Sequence, residues 1–214
     1  MRISNRFENH IVAAATVAMS AAAAANAAVV YSGIINFVCA VDIAGCYINV
    51  QTNLLSNGPA SGVPGWDVNP YNSSSGSGMG FYGSTGGALV TAVNAGGTAI
   101  KLATGTAIGA SSNFNDSSSS VTFGAAAGNW QYGSENLVGF EFVAAAGTTH
   151  YGWMRFLMGS QPATGNLVTR TVVDYGYEST AGASILAGAG AVPAPGAIAL
   201  LGAAGLIGAR RRRA

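Results

Sequence analysis

The stretch NLVGFEFVAAAGTTHYGWMRFLMGSQPATGNLVTRTVVDYGYES, residues 136–179, decides the fold. It is interrupted at AAAGT and at GSQPATG, and between these breaks apolar and polar residues alternate with the period of two that belongs to a strand. Three strands in an antiparallel meander follow. In the third, strict alternation puts Thr171, Val173, Tyr175 and Tyr177 on one face and Arg170, Val172, Asp174, Gly176 and Glu178 on the other. The first face reads as core. The second carries both charges, so Arg170 and Asp174 pair either with each other along the strand or with neighbours across it.

Outward from the meander the pattern persists. Residues 28–191 hold short alternating runs parted by Gly, Ser, Asn and Pro, and no sustained helical period. YSGIINFVCAVDIAGCYINVQT reads as a hairpin turning at DIAG. Cys39 and Cys46 are the chain's two cysteines and can pair across that turn. A metal reading of the pair needs more ligands than one histidine, His150, supplies in this part of the chain. No cofactor is expected. The loop-rich stretch SNGPASGVPGWDVNPYNSSSGSGMGFYGSTGG contains one strand-like piece at residues 66–70, and GASSNFNDSSSS, residues 109–120, reads as a surface loop. Together these signs predict an all-β domain: an antiparallel two-sheet β-sandwich of jelly-roll or lectin-like kind.

Composition bounds the function. The chain has 214 residues, room for one domain with sorting segments at its ends. Only 8% of it is charged, which argues against a cytosolic helical enzyme. Within residues 28–209 three basic residues (Lys101, Arg155, Arg170) face seven acids, a net charge of −4. Nucleic acid is therefore not an expected partner, because phosphate recognition needs clustered Lys and Arg.

The two ends carry opposite instructions. Residues 1–27 have the parts of a secretory signal peptide: Arg2 and Arg6, an apolar run from Ile11, and the A-x-A site Ala25-Asn26-Ala27, with cleavage expected before Ala28. The alternative, an alanine-rich helix of the folded domain, would have no polar stripe to face water. At the other end, residues 197–209 are uncharged and would span about 20 Å as a helix, short of a ~30 Å hydrocarbon core. Arg210, Arg211, Arg212 and Arg213 complete a short membrane helix with a cytoplasmic cationic stop.

The order Val192-Pro193-x-Pro195, a short apolar segment, then Arg210 to Arg213 resembles the PEP-CTERM sorting signal. That signal is read by exosortase, a transpeptidase-like membrane enzyme of Gram-negative bacteria that secrete polysaccharide. Ala194 stands where the family has Glu. The phrase GFEF…THYGWMRF…DYGYESTAGASILAG, running into VPAP, is also similar to the final strands of exported PEP-CTERM proteins of unassigned role. The resemblance implies secretion machinery, signal peptidase and an exosortase-like enzyme as partners, membrane tethering, then a place on the cell surface or in an extracellular matrix. The domains expected are 1–27, 28–191 and 192–214.

Chemistry is sparse. Glycoside hydrolysis needs two carboxylates about 5–10 Å apart. Glu135 and Glu141 on one strand are about 20 Å apart, and a partner such as Glu178 would have to come from another strand. No G-x-S-x-G elbow occurs, and His150 reads as a hydrogen-bonded strand residue. Asp67, Asn69 and Asn72 lack the spacing of a calcium loop and suit Asx turns. Sugar stacking is more believable than catalysis, with Trp66, Asp67, Trp130 and Tyr132 as possible glycan contacts. The same rings also suit a core. Three functions stay in view: a non-enzymatic envelope or matrix protein, a lectin-like module, and a polysaccharide hydrolase.

Overall fold

The computed structural model describes residues 28–72, 78–83, 97–115, 118–163 and 167–191. The expected signal segment with Ala25 and Ala27, and the expected tail with Val192, Pro193, Pro195 and Arg210 to Arg213, lie outside these residues. Among the described residues no helix is long and apolar enough to cross a membrane. The described residues are all-β apart from one 3-10 turn at Ala60–Gly62.

In chain order the strands are β1 (Val29–Tyr31), β2 (Phe37–Cys39), β3 (Cys46–Asn49), β4 (Leu54–Asn57), β5 (Val68–Tyr71), β6 (Gly80–Gly83), β7 (Thr98–Ala99), β8 (Ala107–Ile108), β9 (Ser118–Val121), β10 (Glu135–Val143), β11 (Thr149–Met158), β12 (Arg170–Glu178) and β13 (Ile185–Leu186). The first sheet runs β1-β12-β11-β10, with β2 also on the edge of β12. The second runs β4-β3-β5-β6-β9-β7, and β13 pairs with β8 in a small third sheet.

The predicted meander is present as β10, β11 and β12. Its first turn closes by Ala144 N–H to the Thr148 carbonyl and Gly147 N–H to the Ala144 carbonyl. Two expectations about pairing need correction. The second sheet is mixed rather than purely antiparallel, because β7 runs parallel to β9. The serine run expected as a loop supplies β9, paired with β6 on one side and β7 on the other, since backbone hydrogen bonding makes few demands on side chains.

The face assignment in β12 also differs from strict alternation. Arg155 pairs with Asp174 but Phe156 pairs with Val172, so Val173 is an extra residue, a β-bulge. One extra residue exchanges the faces of everything beyond it. Arg170 and Val172 therefore share the inner face with Tyr175 and Tyr177, while Thr171 joins Asp174, Gly176 and Glu178 outside. Opposite the bulge the edge strand breaks between β1 and β2, and the Val173 carbonyl accepts N–H bonds from both Ile35 and Asn36.

Both sheets contribute to one core: Ile48, Val68 and Phe81 from the second, Phe140, Met154, Phe156 and Val172 from the first. A smaller cluster covers the outer face of the first sheet, where Trp153 and Tyr151 meet Leu102, Ile108, Ile185 and Ala187. Both faces of the first sheet are thus buried, which explains why β11 and β12 are buried almost end to end.

Cys39 and Cys46 form the expected disulfide, but not across a hairpin. β2 pairs with β12, whereas β3 pairs with β4 and β5, so residues 40–45 carry the chain from one sheet to the other. The buried disulfide links the sheets at this crossing. Gly45 turns there at φ +65°, and a side chain on it would run into the Pro70 carbonyl. Arg170, fully buried, donates from Nη1 to the Tyr71 carbonyl (2.9 Å) and from Nη2 to the Ala40 carbonyl (2.9 Å). It does not pair with Asp174. Burial lowers its pKa to about 10, against the opposing pull of Asp42, so the guanidinium stays charged at neutral pH.

Two stability predictions follow from this crossing. Arg170→Ala leaves two part-buried carbonyls without their donor and opens a void, and should cost about 3 kcal/mol or more in urea unfolding. Replacing Cys39 and Cys46 together by Ala reopens a short loop and should cost about 2–3 kcal/mol. A change below 1 kcal/mol in either variant would show that the crossing does not hold the sheets.

Candidate functional site

The second sheet turns Ile48, Val68 and Phe81 inward, so alternation puts Tyr47, Asn69 and Tyr82 on its outer face. Trp66, from the loop before β5, lies against this face. Its ring meets Tyr47 edge-on with centroids 5.1 Å apart and lies 6.4 Å from Tyr82 at a tilt of 34°. Tyr82 is 49% exposed, and Trp66 and Tyr47 are half-buried. Beside the rings a shallow groove of about 280 Å³ is lined by Ile43, Asn69, Tyr71 and Tyr82.

Two buried polar side chains hold the Trp66 loop. Asn49 donates to the Pro64 (3.0 Å) and Gly65 (2.9 Å) carbonyls while its Oδ1 accepts from the Gln51 and Thr52 N–H groups. Gly65 makes the turn at φ +64°. Asp67, 5% exposed, accepts from the Val50 N–H at 2.9 Å. Asn69 ties the neighbouring crossing by donating to the Ala44 and Cys46 carbonyls, both at 2.8 Å.

Of the four possible glycan contacts, the structure places one on a surface with other rings. Trp66 is in the outer aromatic group, with Asp67 buried behind it. Trp130 is instead fully buried, packed on Phe81 and Phe156 with its indole N–H donated to the Ala99 carbonyl. It serves the core, because the loop preceding β10 folds inward at this point. Tyr132 stacks flat on Phe123, centroids 4.1 Å apart, in a separate group. Sequence reading does not single out Tyr47, Tyr82 or Asn49. The clue was available: in CYINV and GFYG the tyrosines alternate with the core residues Ile48 and Phe81.

A second concavity, about 400 Å³, lies against the outer face of the first sheet, lined by Lys101, Glu135, Leu137, Trp153, Arg155 and Gly188 among others. Arg155 and Glu135 in this lining are already paired. Arg155 donates Nε to Asp174 Oδ1 (2.8 Å) and Nη2 to Asp174 Oδ2, and Nη1 reaches Glu135 at 3.2 Å. Tyr31 donates its hydroxyl to Asp174 at 2.7 Å, and burial with this carboxylate pushes the phenol up to about 12.

The three hydrolase candidates differ in their surroundings. Glu135 is held by Arg155, and Glu178 is buried with Oε1 accepting the Thr180 N–H. Glu141 faces Tyr151, on which Phe114 stacks with centroids 5.6 Å apart. Burial raises the Glu141 pKa. His150 bonds to the Glu178 carbonyl and the Thr148 hydroxyl in the strand-residue role expected of it. Among the described residues no cluster of three His, Cys, Asp or Glu side chains could hold a metal ion. No protein-family model, curated protein or solved structure matches the chain.

Burial pushes the Asp67 carboxyl up to about 6, only partly offset by the Val50 N–H. A folded value above the ordinary one near 3.9 means that folding favours the protonated acid. This contribution is fully present below about pH 4 and is lost as pH rises through about 6. Asp67→Asn should therefore gain about 2 kcal/mol relative to the parent between pH 4 and pH 8 in urea unfolding. Parallel stability curves for the two proteins would refute the assignment.

Proposed function

We propose that this chain is an exported, non-enzymatic protein of the cell envelope or exopolysaccharide matrix, built as a jelly-roll or lectin-like β-sandwich. It is tethered and then processed through a PEP-CTERM-type signal read by an exosortase-like enzyme. One observation carries the reading: the buried Cys39–Cys46 bond joins strands of two different sheets, and such a bond persists in an oxidising compartment. The placement of the first strand supports it. β1 opens at Val29, directly after the A-x-A site, and the Ala28 carbonyl already accepts the Ser179 N–H. Removing residues 1–27 leaves this hydrogen bond in place.

A second reading, carbohydrate binding, is favoured by the exposed group of Tyr47, Trp66 and Tyr82. Polysaccharide is then a partner rather than a substrate.

Mass spectrometry of the protein from cell surface and medium tests the export reading. The mature chain should begin at Ala28 and lack Arg210 to Arg213. Recovery of the chain from cytosol with Met1 and Ala214 both present would refute it.

A further inference from the structure

We infer that the outer face of the second sheet binds a neutral polysaccharide, with Trp66 and Tyr82 as stacking rings and Asn69 and Tyr71 as the walls of the adjoining groove. The inference rests on the carbohydrate-binding reading and names its site and ligand class.

The chemistry of the face selects the ligand. A pyranose ring has an apolar face of C–H groups and a rim of hydroxyls, so it needs an aromatic surface bordered by neutral hydrogen-bonding groups. Trp66 and Tyr82 supply the surface, and the phenols of Tyr47, Tyr71 and Tyr82 supply the border. Among the described residues no charged side chain lines the groove. Two acids adjoin these residues in sequence: Asp67, beside Trp66, is buried and accepts from Val50, while Asp42, beside Ile43, is exposed and accepts the Gly45 N–H, so an anionic polymer finds no countercharge here.

The construction of the face points the same way. Asn49 makes two hydrogen bonds to the segment that carries Trp66 and two to the turn after β3, and Asp67, next to Trp66, is tied to the Val50 N–H. Rings held in this way lose little freedom when a ligand arrives. On the other side, Ile43 is 77% exposed on the crossing that the disulfide and Asn69 immobilise. A stable protein partner would cover about 800 Å² on each side. Among the described residues lining the groove, the large exposed apolar side chains are Tyr82 and Ile43, a footprint suited to a short stretch of sugar chain.

The test is affinity electrophoresis of the full chain, disulfide intact, through gels containing hydroxyethyl cellulose or galactomannan, both neutral, or alginate, a polyuronate. Retardation by a neutral polymer is expected, with Trp66→Ala and Tyr82→Ala each weakening it on the order of tenfold or more. Trp66→Phe, which keeps a ring, should retain most of the binding, and Tyr132→Ala should match the parent. Thermal unfolding of each variant separates lost binding from lost fold. Undiminished retardation of folded Trp66→Ala and Tyr82→Ala would overturn the site while leaving carbohydrate binding intact. Retardation by alginate alone would overturn the ligand class. Passage unretarded through all three gels would overturn both the platform and the carbohydrate reading, leaving the export reading to be judged by its mature termini.

Discussion

A single extra residue, Val173, sets the orientation of every side chain in the central strand of the first sheet. Without it Arg170 would point outward with Asp174 on one charged face. With it Arg170 enters the core and Asp174 stays outside, so the two opposite charges part and each must find partners elsewhere. Asp174 takes Arg155 and Tyr31. Arg170, deprived of a carboxylate, takes two backbone carbonyls at the place where the chain passes between sheets.

That choice gives the crossing its rigidity. A buried guanidinium is costly to desolvate, and its cost is offset only when its N–H groups are used. Here Nη1 and Nη2 are used on Tyr71 and Ala40, one at the end of a second-sheet strand and the other in the crossing beside the Cys39–Cys46 bond, while Nε has no partner among the described residues. A covalent link and charge-assisted hydrogen bonds thus hold the same corner. Asn69 reaches the crossing from the outer face of the second sheet, so the aromatic surface inherits the stiffness of the corner.

Legibility varied with the range of the interaction. The meander was plain, because β10, β11 and β12 are long, alternate, and are joined by short breaks with turn residues. The disulfide was readable from two cysteines in one short segment, yet its role was not: adjacent strands suggested a hairpin, and nothing local says that one strand prefers β12 and the other β4. Trp66 was identified by type and its loop position. Trp130, in a similar polar context, is buried because Phe81 and Phe156, distant in sequence, converge on it. The serine-rich β9 was missed because strand propensity is weak there and pairing with β6 and β7 supplies what the side chains do not.

By itself the sequence determined the all-β class, the meander, and the cysteine pair, because each rests on periodicity or proximity along the chain. Only the tertiary structure decided which face of β12 is the core, where Arg170 goes, and which aromatic rings reach solvent. Those outcomes depend on register between strands, and register is set by bulges and by packing between sheets, neither of which leaves a local mark in the residues concerned.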